Sequence, residues 1–222
     1  MRDVPSLKPS CAPLFLSLLI IMASSKQIDQ YMRTHRGDLP WLGVYASDTL
    51  PTITSKLSNG CLISNYDPSW KAGSHWIGLR IDKGRRMISY FDSYGNAPDK
   101  DDSVVKDHTM FTEYIKKLRG TFGYRTEWSH VDFQSLFTDV CGLYAIYFCL
   151  NGEPSRTNPA WKGFSFYTPD VIRNGQAEYN SGTNPGKLQN DRLIRKLVNI
   201  GIPVLDPSFN RKELSTQQDI GI

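Results

Sequence analysis

The chain has 222 residues, which fits one generous domain with appendages or two small ones at roughly 150 residues per domain. Hydrophobic residues make up 40% and charged residues 22%, so a core can form and wholesale disorder is excluded. The net charge of +4 and pI near 8.8 are compatible with touching nucleic acid but far from a histone-like arm. The four cysteines, Cys11, Cys61, Cys141 and Cys149, are too sparse for a disulfide scaffold, and none has the C-x-x-C spacing of a structural zinc site. No metal is expected.

Leu14 to Met22 reads LFLSLLIIM, after Lys8 and before Ala23-Ser24-Ser25. It is shorter than the about 20 apolar residues a bilayer span needs, so no membrane partner is expected. Three readings fit it: an upstream extension whose working start is Met22, a secretory signal, or an amphipathic or buried helix. The extension reading is taken first. Residues 1–21 are then an appendage, 22–205 the folded domain, and 206–222 a polar tail without periodicity.

Ser24 and Ser25 precede a helix-compatible stretch running to about Arg36, with Gly37 as its stop. Pro51 breaks the chain. Three apolar runs follow: Cys61 to Ile63, His75 to Ile81, and Met87 to Phe91. The last two flank Asp82-Lys83-Gly84-Arg85-Arg86 and read as antiparallel strands of a hairpin. A helix is expected from about Asp102 to Arg119, with Val105, Met110, Tyr114, Ile115 and Leu118 on one face and Gly120 closing it. Tyr124 to Trp128 is a further strand. Cys141 to Leu150 is apolar all round and suggests a helix through the centre of the domain, although period alone cannot tell it from a buried strand. A last helix spans Leu188 to Asn199, with Leu193, Leu197 and Ile200 inward and basic residues outward. The order makes an α+β domain with a mixed or antiparallel sheet.

A thiol nucleophile acts as thiolate, a form favoured by a helix N-terminus or a neighbouring imidazolium. Cys141 stands where the buried helix begins, and Gly142 after it allows close approach of a substrate backbone. A lone cysteine is more often an inert core residue. His75 opens a strand, a rigid place for a general base, whereas His35, His108 and His130 have no comparable setting. Asp92 ends the paired strand, so it and His75 fall at one edge of the sheet, where a carboxylate can fix the imidazole tautomer. Gln134 lies seven positions before Cys141, and its amide can donate to a developing oxyanion together with the Cys141 backbone N–H. Each residue alone reads as ordinary; the set does not.

The set resembles the adenovirus-protease (adenain) and SUMO-protease superfamily of cysteine peptidases. The resemblance rests on Gly73-Ser74-His75-Trp76, Phe91-Asp92-Ser93, Gln134 and Cys141-Gly142, in the order His, Asp, Gln, Cys. The seven-residue step from Gln to Cys looks like the adenain branch, as does the opening Met22-Ala23-Ser24-Ser25 followed by Trp41-Leu42-Gly43-Val44-Tyr45. It covers about Met22 to Leu150. The resemblance implies a papain-like arrangement in circularly permuted order, with Cys141 as nucleophile, His75 as base, Asp92 as orienting acid and Gln134 as oxyanion donor. Trp76 would wall a cleft that admits a narrow Gly-containing peptide. Adenain-like enzymes mature viral precursors, and adenain is aided by a peptide and by DNA, so polypeptide substrates from a DNA virus or virus-derived mobile element are implied. No cofactor is needed for the chemistry.

Two departures qualify the match. Gly120 to Ser135 contains no cysteine, so an activating viral peptide would act without the adenain-type disulfide. Asp92 stands where adenain has a glutamate, as in SUMO proteases. Basic residues at Lys83, Arg85, Arg86, Lys116, Lys117, Arg119, Arg192, Arg195 and Lys196 offer patches for DNA, or simply solvated faces. A monomer is expected, in virion and host nucleus if viral and otherwise intracellular, with secretion the minor alternative. The rival functions are a deubiquitinating or deSUMOylating protease, a non-catalytic DNA-binding or structural virion component, and a secreted domain in which Cys141 is oxidised.

Overall fold

The alternation of residues along three central strands divides the molecule into two apolar layers. The structure, a computed structural model, describes residues 23–51, 58–98, 109–135, 138–167 and 184–200. The expected appendages 1–21 and 206–222, Val105 and the expected start of the second helix lie outside them. The elements are α1 (Ser25–His35), β1 (Trp41–Tyr45), β2 (Gly60–Asn65), β3 (Trp76–Asp82), β4 (Met87–Phe91), α2 (Thr109–Phe122), β5 (Arg125–Trp128), α3 (Cys141–Asn151) and α4 (Pro185–Leu197). The strands form one sheet in the order β1-β2-β3-β4-β5, parallel at both outer pairs and antiparallel at the two inner ones. The domain is therefore α+β with a mixed sheet.

Period-two alternation assigns each strand residue to a layer. Leu62, Ile77, Leu79, Ile81, Ile88 and Tyr90 face α2, whose Phe111, Ile115 and Leu118 cover them. Cys61, Ile63, Trp76 and Phe91 face the other way and pack with α1, α3 and α4. Helix α3 runs through this second layer with every residue from Cys141 to Cys149 buried, as its unbroken apolar run requires. Phe133, Trp161 and Phe164 close around it. Helix α1 is fixed at its start by a reciprocal cap, Ser24 with Gln27, and buries Ile28 and Met32.

Helix α3 approaches the sheet closely because of one small residue. Gly78 on β3 faces α3, and a Cβ there would lie 2.6 Å from Phe148 Cδ1 and 3.4 Å from the Ala145 carbonyl oxygen. Phe148 cannot give way, since it is fully buried and stacked on Phe91 at 5.0 Å. A disulfide between Cys61 on β2 and Cys149 on α3 ties the same helix to the sheet.

Several expectations shift. His75 lies just before β3 rather than opening it, although its carbonyl still accepts the Tyr66 N–H at 3.1 Å. Trp41–Tyr45, quoted only for its likeness to adenain, is an edge strand. Met110 is exposed, because the inward face of α2 runs through Phe111, Ile115 and Leu118. Leu197 is exposed as well, because α4 turns Lys187, Asn190, Asp191, Ile194 and Val198 inward. Cys61 and Cys149 are paired across 88 residues, and Cys141 is the free cysteine among the described residues. Among the described residues no helix is long and apolar enough to cross a membrane.

Gly78→Ala forces a methyl into the space held by Phe148, and overpacking of this kind costs about 1–3 kcal/mol. Urea unfolding should show a lower midpoint at unchanged slope; an unchanged midpoint would mean that α3 can back away from the sheet freely.

Candidate active site

The hairpin delivers a histidine and an aspartate to one end of the sheet. The register pairs Gly78 with Phe91, so His75 and Asp92 stand just past the ends of β3 and β4, offset rather than directly opposite. The offset suits a hydrogen bond: His75 Nε2 lies 2.8 Å from Asp92 Oδ1. Both residues are almost fully buried.

An ionised carboxylate at this depth needs several donors to offset its lost hydration. Asp92 Oδ1 also accepts the Tyr94 backbone N–H at 2.8 Å. Its Oδ2 accepts the Tyr66 hydroxyl at 3.0 Å, the Asn96 amide at 3.3 Å and the Tyr90 hydroxyl at 3.5 Å. Burial pushes the Asp92 carboxyl up, but the imidazole and these donors more than offset it and hold it below the usual range. Burial likewise opposes charge on His75; Asp92 first, and Cys141 after it, outweigh that and raise the imidazole to about 10.

Cys141 opens α3, and its thiol hydrogen-bonds the His75 ring. With Nε2 taken by Asp92, Nδ1 is the ring nitrogen left for the sulfur. The residue is only 3% exposed and is the free cysteine among the described residues. Its backbone N–H lies in the first helical turn, where no preceding turn supplies an acceptor. The imidazole is flanked by two tyrosine rings, Tyr94 at 4.9 Å and Tyr66 at 5.4 Å. Burial and the neighbouring acids, with Cys141 and Asp92 foremost, push the Tyr94 hydroxyl far up, so it stays neutral.

Gln134 is brought to the same corner by the turn after β4. The Ser93 carbonyl accepts the N–H groups of Phe133 at 2.8 Å and Gln134 at 3.1 Å. The Ser93 hydroxyl donates to Gln134 Oε1 at 2.6 Å, and Gln134 Nε2 donates to the Thr138 carbonyl at 2.5 Å. The Thr138 carbonyl can only accept, so the end of the amide that faces it is the end that carries hydrogens. The donor end is thereby turned towards the segment that enters α3.

Trp76 and Gly142 meet on the other side of Cys141. The Trp76 indole N–H donates to the Ala23 carbonyl at 2.8 Å. A Cβ on Gly142 would lie 3.0 Å from Ala23 Cβ, 3.2 Å from Trp76 Cδ1 and 3.3 Å from Ile28 Cδ1. The space opened by the absent side chain at 142 is therefore filled by α1 and the residue leading into it.

Four polar contributors escaped the sequence reading: Tyr66, Ser93, Tyr94 and Asn96. The signal for the last three lay in Asp92-Ser93-Tyr94-Gly95-Asn96, a turn in which Asp92 caps its own backbone and Gly95 takes φ +73°. Such a turn brings the Ser93 hydroxyl to Gln134, the Tyr94 ring to His75 and the Asn96 amide to Asp92. Among the described residues, no group of three or more His, Cys, Asp and Glu is placed to hold a metal ion.

Residues 68–150 match the family model of the Ulp1 protease family, C-terminal catalytic domain. The segment contains His75, Asp92, Gln134 and Cys141. The matched segment is less than half of the chain and is a likeness to that catalytic domain. No curated protein matches the chain. A solved structure it resembles is the ASFV pS273R protease, at 14% identity and a TM-score of 0.32, over 58% of this chain and 57% of that one.

The paired groups have a pH signature. The raised His75 value means its contribution to stability is full below the ordinary 6.5 and fades as pH climbs towards about 10. The lowered Asp92 value means its contribution is present above the ordinary 3.8 and fades in acid. By NMR, the His75 ring should stay protonated past pH 8, and Asp92→Asn should shift its titration downward, since burial then acts with less opposition. Wild-type titration near 6.5 would contradict the pairing.

Proposed function

We propose that this chain is a cysteine endopeptidase that cleaves polypeptides, with Cys141 as nucleophile, His75 as base, Asp92 as the acid that orients it and Gln134 as oxyanion donor. The observation that carries the reading is a buried imidazole held between an aspartate and a free cysteine at the start of a buried helix.

In this reading Cys141 and His75 rest as an ion pair, the thiol proton already held at His75 Nδ1, and the thiolate sulfur attacks the scissile carbonyl carbon. The carbonyl electron pair moves to oxygen, where Gln134 Nε2 and the Cys141 backbone N–H receive it. Collapse breaks the C–N bond, and the imidazolium protonates the leaving amine. Water then loses a proton to His75 and attacks the thioester, which releases the carboxylate product and restores the thiol. Asp92 holds the imidazole in one orientation and stabilises its charged form. Tyr66 and Tyr94 keep the ring in that plane. The chemistry calls for no metal or organic cofactor.

The preferred substrates are precursor polypeptides cut near Gly-containing sites, such as viral capsid or core proteins, with Trp76 as a wall of the substrate cleft. Asp92 at the acid position, in place of glutamate, favours a second reading in which ubiquitin-like proteins are released at Gly-Gly ends. DNA and an activating peptide are proposed accelerators, and virion and host nucleus the proposed location.

Gly-containing precursor peptides and Gly-Gly-ended ubiquitin-like substrates, incubated in parallel, separate the two readings. Cys141→Ala should abolish cleavage of whichever is cut, and Gln134→Ala should lower kcat by about 10²–10³. Cys149→Ala, further along the same helix, should keep most activity. Cleavage by Cys141→Ala at the wild-type rate would refute the assignment.

A further inference from the structure

A helix packed on an aromatic core ordinarily presents an apolar stripe. Helix α4 instead turns Lys187, Asn190 and Asp191 inward, each no more than 2% exposed. Burying three polar side chains costs desolvation that apolar residues would avoid. All three reach the stretch of chain that leads to Cys141. Lys187 Nζ pairs with Asp132. Asn190 Nδ2 donates to the Phe133 carbonyl at 3.3 Å and to the Ser165 carbonyl at 2.8 Å, and its Oδ1 accepts the Ser165 N–H at 2.8 Å. Asp191 Oδ2 accepts the Ser135 N–H at 3.1 Å and the Thr138 hydroxyl at 2.8 Å, and its Oδ1 accepts the Tyr144 hydroxyl at 2.9 Å.

These contacts flank Gln134. Its neighbours on both sides in sequence, Phe133 and Ser135, are gripped through their backbones, and Thr138 supplies the carbonyl that takes one N–H of the Gln134 amide. Tyr144, one turn into α3, ties the same carboxylate to the helix that Cys141 opens. Asp191 thus sits one residue away from the Gln134 side chain and one helical turn away from the sulfur, without touching either.

We infer that Asp191 is a positioning residue that holds Thr138, and through its carbonyl the Gln134 amide, at a fixed place relative to Cys141. The inference rests on the reading of Gln134 as oxyanion donor. Its consequence is selective: the amide matters once charge builds on a carbonyl oxygen, and has no part in a simple alkylation of the thiol.

The test compares kcat and KM on a cleaved peptide with the rate of Cys141 alkylation by iodoacetamide in the full chain. Asp191→Ala should lower kcat about tenfold, the scale of a small misplacement, with KM and the alkylation rate within about twofold of wild type. Asp191→Asn should recover most of kcat, because its carbonyl oxygen can accept from Ser135 and Thr138 while its amide donates to the Tyr144 hydroxyl. The double variant Gln134→Ala with Asp191→Ala should be no slower than Gln134→Ala, since both remove one function. Thr138→Val, which cuts the Asp191 contact from the other side, should lose kcat several-fold and decides the matter if Asp191→Ala does not fold. Wild-type kcat in Asp191→Ala or Thr138→Val, losses that multiply in the double variant, equal slowing of alkylation, or an Asp191→Asn as slow as Asp191→Ala would each overturn the inference alone. A wild-type protein without Cys141-dependent hydrolysis would overturn the parent reading, and this one with it.

Discussion

The arrangement depends on one buried contact, the 2.8 Å bond between His75 and Asp92. Neither group is stable at that depth alone: an isolated buried imidazolium or carboxylate would give up its charge. Together, and with tyrosine hydroxyls, the Asn96 amide and a backbone N–H converging on the acid, they make a charged pair that the interior tolerates. The pair then serves as the electrostatic setting for Cys141. Removing the acid would leave a ring for which burial is the leading influence.

The pair has its place only because two layers meet closely at this end of the sheet. Strands β3 and β4 set the spacing of His75 and Asp92, and α3 must come down onto β3 for Cys141 to reach the ring. Gly78 permits that approach, and the Cys61–Cys149 disulfide joins the same helix to the neighbouring strand. The helix carries no polar side chain on any face from Cys141 to Cys149 other than tyrosine hydroxyls. Its position is therefore set by packing against the sheet, by the aromatic cluster around Trp161, and by α4.

Much of this was legible in the sequence because it follows from patterning. Two short apolar runs, His75 to Ile81 and Met87 to Phe91, flanking the turn-rich Asp82-Lys83-Gly84-Arg85-Arg86, read as a hairpin, and a hairpin brings His75 near Asp92. The uninterrupted apolar run after Cys141 marks a fully buried element, which the structure shows to be a helix. What escaped was polar and tertiary. Hydrophobicity alone locates a buried stripe: of the residues placed inward on the last helix, Leu193 and Ile200 pack against the core and Leu197 is exposed, but Lys187, Asn190 and Asp191, buried on that helix with partners 25 to 57 residues away, gave no such signal. The Cys61–Cys149 pair was invisible for a like reason: 88 residues separate them, and only the packing of α3 on β2 brings them together. Tyr66 and Tyr94 carry no pattern of their own in the sequence, and their place is set by packing on the His75 ring.

The most direct test of the central claim is mapped labelling of the folded, unreduced protein with a small electrophile near neutral pH. The account predicts modification of Cys141 that is rapid in the wild type and slowed at least tenfold in His75→Ala, as expected when an ionising partner is removed. A Cys141 that stays unmodified until the protein unfolds, or that reacts equally fast without His75, would contradict it.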